Sequence, residues 1–245
     1  MEYKISVLIR TYNEEKYLRE VLESLKNQTY QNFETIILDS ESTDRTLQIA
    51  KEYKTRIEHI RKKDFNYSYA SNKLVEYATG DIVCFLSGHS VPVKNTYLSD
   101  LNDVFQNESV GGCYGDVVAL PDASLSEKLF HGLGYIKNKL KNKATGIILE
   151  TKIHPGILSC CNAAARRDLL LKHPFAITLG AGGEEVEVAY RLIQDGYYIA
   201  FASDLVVMHS HGKRFIPFIR EYIGWREMWK NVIAYIEQNE YSRSS

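Results

Sequence analysis

Short apolar runs alternate with amphipathic stretches through the first third of the chain. Ser6-Val7-Leu8-Ile9, Thr35-Ile36-Ile37-Leu38 and Asp81-Ile82-Val83-Cys84-Phe85-Leu86 have the length and composition of buried strands. Between the first two, Tyr17, Leu18, Val21, Leu22 and Leu25 recur at helical spacing, which predicts a helix over Glu14–Lys26. Leu47, Ile49, Ala50 and Tyr53 predict a second helix, capped by Ser42 or Thr43. A short strand at Arg56–Ile60, a polar loop at Arg61–Tyr67 and a helix from Tyr69 to Thr79 follow, the last stopped by Gly80. This β-α-β-α-β-α-β rhythm predicts a parallel sheet with right-handed crossovers.

The second half is less regular. Thr96–Phe105 reads as a helix and Gly112–Ala119 as a strand. Leu125–Lys143 reads as one or two helices with a basic end of Lys137, Lys139, Lys141 and Lys143, a run that a solvated face explains. Helices are expected at Arg166–Lys172 and Glu184–Gln194, strands near Tyr198–Phe201 and Leu205–Met208, and a largely helical tail from Lys213 to Glu237. No repeat, low-complexity segment or linker divides the chain, so one domain is expected over residues 1–245.

The early apolar runs all break into polar residues at their C-terminal ends: Arg10-Thr11-Tyr12-Asn13-Glu14, Asp39-Ser40-Glu41-Ser42, and Ser87-Gly88-His89-Ser90. In an open α/β sheet, ligands bind beyond the carboxyl ends of the strands. Composition adds exclusions. With 44% hydrophobic and 25% charged residues the chain is an ordinary globular one, and a net charge of −1 gives no global field for nucleic acid. No apolar run approaches a membrane span of roughly 18 residues, and Met1-Glu2-Tyr3-Lys4 enters a strand with no signal peptide. Cys84, Cys113, Cys160 and Cys161 lack metal-ligand spacing, so a reduced cytoplasmic protein is expected.

Asp39, at a strand end near Thr11, can accept the ring N–H of uracil, thymine or guanine, but cytosine has none. A polar pairing of this kind discriminates by about four orders of magnitude. The plainer role for Asp39 is a cap for the helix from Ser42. There is neither G-x-G-x-x-G nor G-x-x-x-x-G-K-[ST], so phosphates would be held another way, usually by a divalent metal. His89, His209 and His211 close two strand ends, and imidazole suits Mn, Fe or Zn better than Mg; strand-end histidines are also often just polar. In Gly182-Gly183-Glu184-Glu185-Val186-Glu187, three carboxylates open a helix. They complement the helix dipole, and one aimed into a cleft would serve as a general base worth about 10²–10⁴ in rate.

Four segments in order resemble the family 2 glycosyltransferases of GT-A fold, over nearly the whole chain. Ser6–Glu14 (SVLIRTYNE) is similar to the family's opening strand, with Arg10 where Pro is usual. Ile36–Asp44 (IILDSESTD) is similar to the segment whose first Asp contacts the base, here Asp39. Gly80–Ser90 (GDIVCFLSGHS) matches the strand of the Asp-x-Asp motif, and Gly183–Leu192 (GEEVEVAYRL) the segment holding the inverting base, here Glu185. The last strand followed by His209 resembles the family's late metal-binding histidine. The fold so implied is α/β, a Rossmann-like, mostly parallel sheet flanked by helices. Residues 1–120 would bind the nucleotide sugar and 121–245, an irregular half, the acceptor. Thr11, Tyr12, Glu14 and Asp39, with Asn66, Asn72 and Ser87, would bind the donor; Glu184, Glu187 and Arg191 would support the loop and acceptor. Because Ser87-Gly88-His89 stands where Asp-x-Asp is usual, the metal site would rest on His89 and His209, with weaker Mg²⁺ preference and more tolerance of Mn²⁺. A metal-independent enzyme using Lys or Arg is the alternative.

The stretch VMHSHG at Val207–Gly212, followed by a basic aromatic helix, is similar to the rhamnosyltransferase-like branch that builds bacterial surface polysaccharides. The implied activity is inverting transfer from a UDP- or dTDP-sugar to a glycan or lipid-linked acceptor. A catalytically silent nucleotide-sugar-binding subunit is the competing class, and a nucleotidyltransferase would need a Gly-rich phosphate loop that is missing. Phe215, Phe218, Ile219, Tyr222, Ile223, Trp225, Met228 and Trp229 either pack on the core or lie on the inner face of a membrane. Lys213, Arg214, Arg220, Arg226 and Lys230 would then meet its headgroups.

Overall fold

The computed structural model describes residues 1–141, 146–179, 182–211 and 215–244, with side chains withheld at 141, 215–222 and 240–244. The first half runs β1 (Ile5–Thr11), α1 (Leu18–Lys26), β2 (Phe33–Asp39), α2 (Thr46–Glu52), β3 (Arg56–His59), α3 (Tyr67–Tyr77) and β4 (Ile82–Ser87). Then come β5 (Val91–Pro92), α4 (Tyr97–Val104), β6 (Val110–Val118), α5 (Leu125–Lys141) and β7 (Ile147–Glu150). The chain continues with β8 (Asn162–Arg166), α6 (Arg167–Lys172), α7 (Glu184–Gln194), β9 (Tyr198–Met208) and α8 (Phe215–Ser244). Among the described residues the strands form one sheet in the order β3-β2-β1-β4-β8-β6-β9-β5, with β7 also on β9. Strands β1 to β4 are mutually parallel, as are β6 and β9. Strand β8 runs antiparallel between β4 and β6.

Alternation along the strands builds both cores. Ile5, Val7 and Ile9 of β1 and Ile37 of β2 face a layer containing Leu18, Leu22 and Leu25 of α1 and Tyr97, Leu98 and Leu101 of α4. Leu8, Ile36 and Leu38 point the other way, to Ala70 and Leu74 of α3 and Val186, Val188 and Leu192 of α7. A period-2 strand buried on both faces needs this continuous apolar run, and the resulting three layers hold the polar strand ends of β1, β2 and β4 side by side. Thr11 pairs in register with Asp39, and Arg10 with Ser87.

The α/β class and the early elements agree with the sequence, and the differences have local causes. Helix α1 starts at Leu18 rather than Glu14 because the Glu14 and Glu15 N–H groups are taken by Thr46 Oγ1 (2.7 Å) and Asp44 Oδ2 (3.0 Å). Helix α2 starts at Thr46, whose N–H Asp44 receives at 2.9 Å, because Ser42 and Thr43 donate to Asp39 and Asn13. The two strands expected over residues 198–208 are one, β9, with its pairing to β6 shifted between Gly115 and Asp116. At Gly115 a Cβ would lie 1.8 Å from the Leu205 carbonyl oxygen. In α8, Val232 and Ile236 are buried and Trp229 packs on the core. Lys143, Lys213 and Arg214, and the side chains of Lys141, Phe215, Phe218, Ile219, Arg220 and Tyr222, lie outside what is described. Among the described residues no helix is long and apolar enough to cross a membrane.

Candidate functional site

The segment Arg10–Glu14, where β1 ends, reaches every other part of the site. Thr11 Oγ1 donates to Asp39 Oδ1 at 3.0 Å. Asp39 is fully buried, and Ser42 adds an N–H bond to Oδ2 (2.9 Å) and a hydroxyl bond to Oδ1 (2.5 Å). Asn13, in the left-handed region at φ 55°, donates its N–H to Ser42 Oγ and accepts from the Thr43 N–H. The loops after β1 and β2 are thus clasped by reciprocal side-chain-to-backbone bonds, which satisfy polar groups that strand pairing no longer serves. Asp39 therefore shapes this loop, and the helix cap is supplied by Asp44. Tyr12, exposed at the rim, accepts a bond from Lys62 Nζ (2.6 Å), which also lies 4.1 Å over its ring.

Two residues on, the Glu14 carboxylate accepts from His89 Nδ1 at 3.0 Å, and Gly88 leaves the room, since a Cβ there would meet Glu14 Cγ at 2.6 Å. The His89 ring stacks on His209 (centroids 4.6 Å, 16°), and His211 stands edge-on to both. Ser90 Oγ bonds His209 Nδ1 at 3.1 Å. One ligand atom from each of His89, His209 and His211 lies within 4.8 Å of the others. With Nδ1 of His89 and His209 already bonded, Nε2 is the atom each offers, and His89 Nε2 is buried without a hydrogen-bond partner. Burial and the neighbouring His89, His211 and His131 hold His209 well below the usual histidine range, in the neutral form a metal binds. Outer-shell carboxylates and hydroxyls on Nδ1 are how metal-binding imidazoles are oriented. The donor set fits a divalent transition metal better than Mg²⁺.

The third part is the start of α7. Gly182 and Gly183 have φ of 122° and 89°, and α8 presses on them: a Gly183 Cβ would lie 2.3 Å from Val232 Cγ2. This turn presents Glu184, buried, beside Glu185, partly buried, each with one carboxylate oxygen that has no hydrogen-bond partner. Burial first, then the charge of Glu184, push the Glu185 carboxyl upward, while Arg10 is close enough to oppose them. Arg10 is held by Ser71 Oγ (2.9 Å) and lies over the Tyr67 ring. Glu187 and Arg191 pair at 2.6 Å, and Arg191 also donates to the Pro174 carbonyl, fixing α7 to the preceding loop.

The strand ends therefore bring together Thr11, Tyr12, Glu14, Asp39, Ser87, His89 and His209, and the Glu185 carboxyl feels the charge of Arg10 from the same strand as Thr11. Glu14, expected among donor-binding residues, lies against His89. Asn66 and Asn72 have another task. Asn66 Oδ1 receives the Tyr69 N–H at the start of α3 and its amide donates to Ile177 O. Asn72 exchanges two bonds with the Phe175 backbone. Both tie α3 to the loop that leads to α7. The sequence alone gives no role to Arg10 or Ser90, whose partners Ser71 and His209 are distant in the chain, and reads Ser42 only as a helix cap; the one signal is Arg10 in a position where the family has proline. Beyond β6, a cavity of about 340 Å³ is lined by Tyr114, Asn138, Glu150, His154 and Phe201. There Tyr114 Oη donates to Glu150 Oε2 at 2.9 Å.

Comparison with known proteins is consistent with this layout. The family described as Glycosyl transferase family 2 matches residues 6–173, which include Asp39 and His89 but not Glu185 or His209. The minor teichoic acid biosynthesis protein GgaB of Bacillus subtilis is 26% identical over 98% of this chain and 31% of its own length. The O-antigen chain rhamnosyltransferase RfbN of Salmonella typhimurium is 29% identical over 85% of this chain and 67% of its own. The chain thus spans about a third of one relative and two thirds of the other. The mannosyltransferase PcManGT of Pyrobaculum calidifontis, in complex with GDP-Man and Mn²⁺, superposes with a TM-score of 0.64 at 21% identity. That match covers 87% of this chain and 59% of the other, and it gives the GT-A fold.

Proposed function

The chain belongs to glycosyl transferase family 2, and from that premise we propose that it moves a sugar from a nucleoside-diphosphate donor to a hydroxyl acceptor in bacterial surface-glycan assembly, inverting the anomeric carbon. One observation carries the reading: Thr11 and Glu14, at the end of a single strand, hold Asp39 and the His89–His209 pair, and Glu185 opens α7 with a buried carboxylate oxygen that has no hydrogen-bond partner.

Asp39 recognises the base. A carboxylate has about four lone-pair positions, and Thr11 and Ser42 occupy three. One remaining position suits the single ring N–H of uracil or thymine better than the paired donors of guanine, which favours a UDP- or dTDP-sugar. Thr11 and Tyr12 flank the base, and Ser87, in register with Arg10, lies towards the ribose and diphosphate.

Glu185 is the general base. It takes the proton of the acceptor hydroxyl as that oxygen attacks the anomeric carbon, and the bond to the diphosphate breaks on the opposite face, the electron pair leaving with the diphosphate oxygen. Glu184 keeps Glu185 basic by its charge, and Gly182-Gly183 under α8 hold the pair in place. His89, His209 and His211 would hold a divalent ion, which when bound supplies charge neutralisation for the departing diphosphate. The polar and aromatic cavity at Tyr114, Glu150 and Phe201 would take the acceptor glycan. A binding-only subunit has no use for a carboxylate oxygen left buried without a hydrogen-bond partner at this position, so transfer is the better reading.

The test is release of nucleoside diphosphate from UDP- and dTDP-sugars, with and without Mn²⁺, by the wild-type chain and Glu185→Gln. Release should fall by about 10²–10⁴ in the variant. No release by the wild-type chain from any donor, with donor binding intact, would make the protein a binding subunit instead.

A further inference from the structure

We propose that α5 seats the protein on an anionic lipid surface. Leu125, Leu129, Leu133, Ile136 and Leu140 are 73, 57, 68, 56 and 59% exposed. Steps of four, four, three and four residues align them in one stripe down the helix. The opposite face is the anchored one: Glu127 is buried and receives the Ser124 and His211 N–H groups, and Asn138 donates to Asp116 at 2.6 Å. Helix α5 is therefore held by polar bonds and turns its large apolar side chains outward, the reverse of an ordinary surface helix.

The charges point to the occupant. At 100° per residue Lys128 and Lys139 border the stripe on one side and Lys137 on the other. Glu127 is the one acidic residue of α5, and it faces inward. The apolar surface continues onto α8, where Trp225 lies 6.4 Å from the Phe130 ring and Ile223 is also exposed, with Arg226 and Lys230 beside them. An apolar stripe edged by lysines, with tryptophan at its border, is the build of a helix lying in the headgroup region, where lysine stems reach from the acyl boundary to phosphate. A second copy fits worse, because a twofold pairing would set these lysine borders against each other with no carboxylate in reply. In α8, Trp229, Val232 and Ile236 pack inward, so α5 is the element this surface rests on.

Flotation of the full chain with vesicles of phosphatidylcholine alone, or with about one-third phosphatidylglycerol, tests the assignment, and it needs no turnover. Wild type should float with the anionic vesicles at least tenfold more than with the neutral ones, and less as salt rises. Leu129→Gln/Leu133→Gln should lose that binding. Lys128→Gln/Lys137→Gln/Lys139→Gln, which removes no apolar packing, should lose it by roughly fivefold per lysine. Donor-sugar binding and the melting curve should be unchanged in both, which separates this result from any failure of the catalytic reading. Equal recovery of wild type and the lysine variant would overturn it. So would absence of wild type from anionic vesicles, or a wild-type dimer that Leu129→Gln/Leu133→Gln splits, which would assign the stripe to a second copy.

Discussion

At the β1–β2 end of the crevice both oxygens of Asp39 accept bonds from Thr11 or Ser42. At the β4–α7 end, His89 Nε2 and one oxygen each of Glu184 and Glu185 are buried without a hydrogen-bond partner. The two ends lie on the same sheet edge, yet at one the carboxylate is held by its neighbours and only Ser40 Oγ is buried without a partner, while at the other the ionisable groups themselves are left open. A largely satisfied polar network is rigid and unforgiving of a wrong partner, which suits selection of a base. Burial without a partner pushes the Glu185 carboxyl upward and leaves His89 Nε2 open to a ligand, which suits proton transfer and metal binding. Under the proposed function, the division of labour between recognition and chemistry follows this difference in hydrogen-bond satisfaction.

The sharpest way to break the comparison is Asp39→Asn. The amide would turn a donor towards the Ser42 N–H and lose the charge, so donor affinity should fall by about a hundredfold or more, read by calorimetry. Unaltered affinity would remove Asp39 from the base site. Next is Glu14→Gln, which weakens the grip on His89 Nδ1. Loss of an outer-shell partner should lower Mn²⁺ affinity by about 10–100-fold, and unchanged Mn²⁺ titration would detach the histidines from a metal role.

The pH profile sharpens the reactive end. Glu185 is pushed from 4.5 to about 8 by burial and by Glu184, and a base must be ionised, so the rate should climb with pH through that region. Glu184→Gln removes the repelling charge and should move the limb down by roughly one to two units; an unmoved limb would assign it to another group. The stability sign is opposite. Because the folded state keeps a proton that the unfolded chain releases above about 4.5, this contribution is full below that value and is lost as pH rises through about 8. The smallest effect belongs to α5. A Cβ at Gly134 in α5 would meet nothing within 4 Å, so Gly134→Ala should stabilise by about 0.5–1 kcal/mol in a thermal melt, with donor affinity and rate unchanged.

Much of this was legible before any coordinates. Apolar runs that break into Thr11, Asp39 and His89 mark parallel strands with a polar edge, because burial on both faces leaves such strands no other pattern. What was hidden depends on pairing across the sheet. Strand β8, Asn162-Ala163-Ala164-Ala165-Arg166, carries no strand signal of its own; its small residues matter because β4 and β6 close on it from both sides. The start of α2 was misplaced because Ser42 and Thr43 look like caps, whereas Asp39 and Asn13 claim their N–H groups. Asn66 and Asn72 have the chemistry of ligand contacts, and only the position of the 174–179 loop shows what they hold. The Glu14–His89 bond and the addition of His211 to the histidine group are likewise products of folding.

The claim that the crevice separates recognition from reaction is tested most directly by measuring donor dissociation constant and single-turnover rate in parallel for Asp39→Asn and Glu185→Gln. The account predicts a crossed result: the first variant loses affinity but, at saturating donor, keeps its rate within a few-fold, and the second binds donor normally but turns over about 10²–10⁴ more slowly. If both variants lost both properties together, or Glu185→Gln turned over like the wild type, the two ends would have no separate roles.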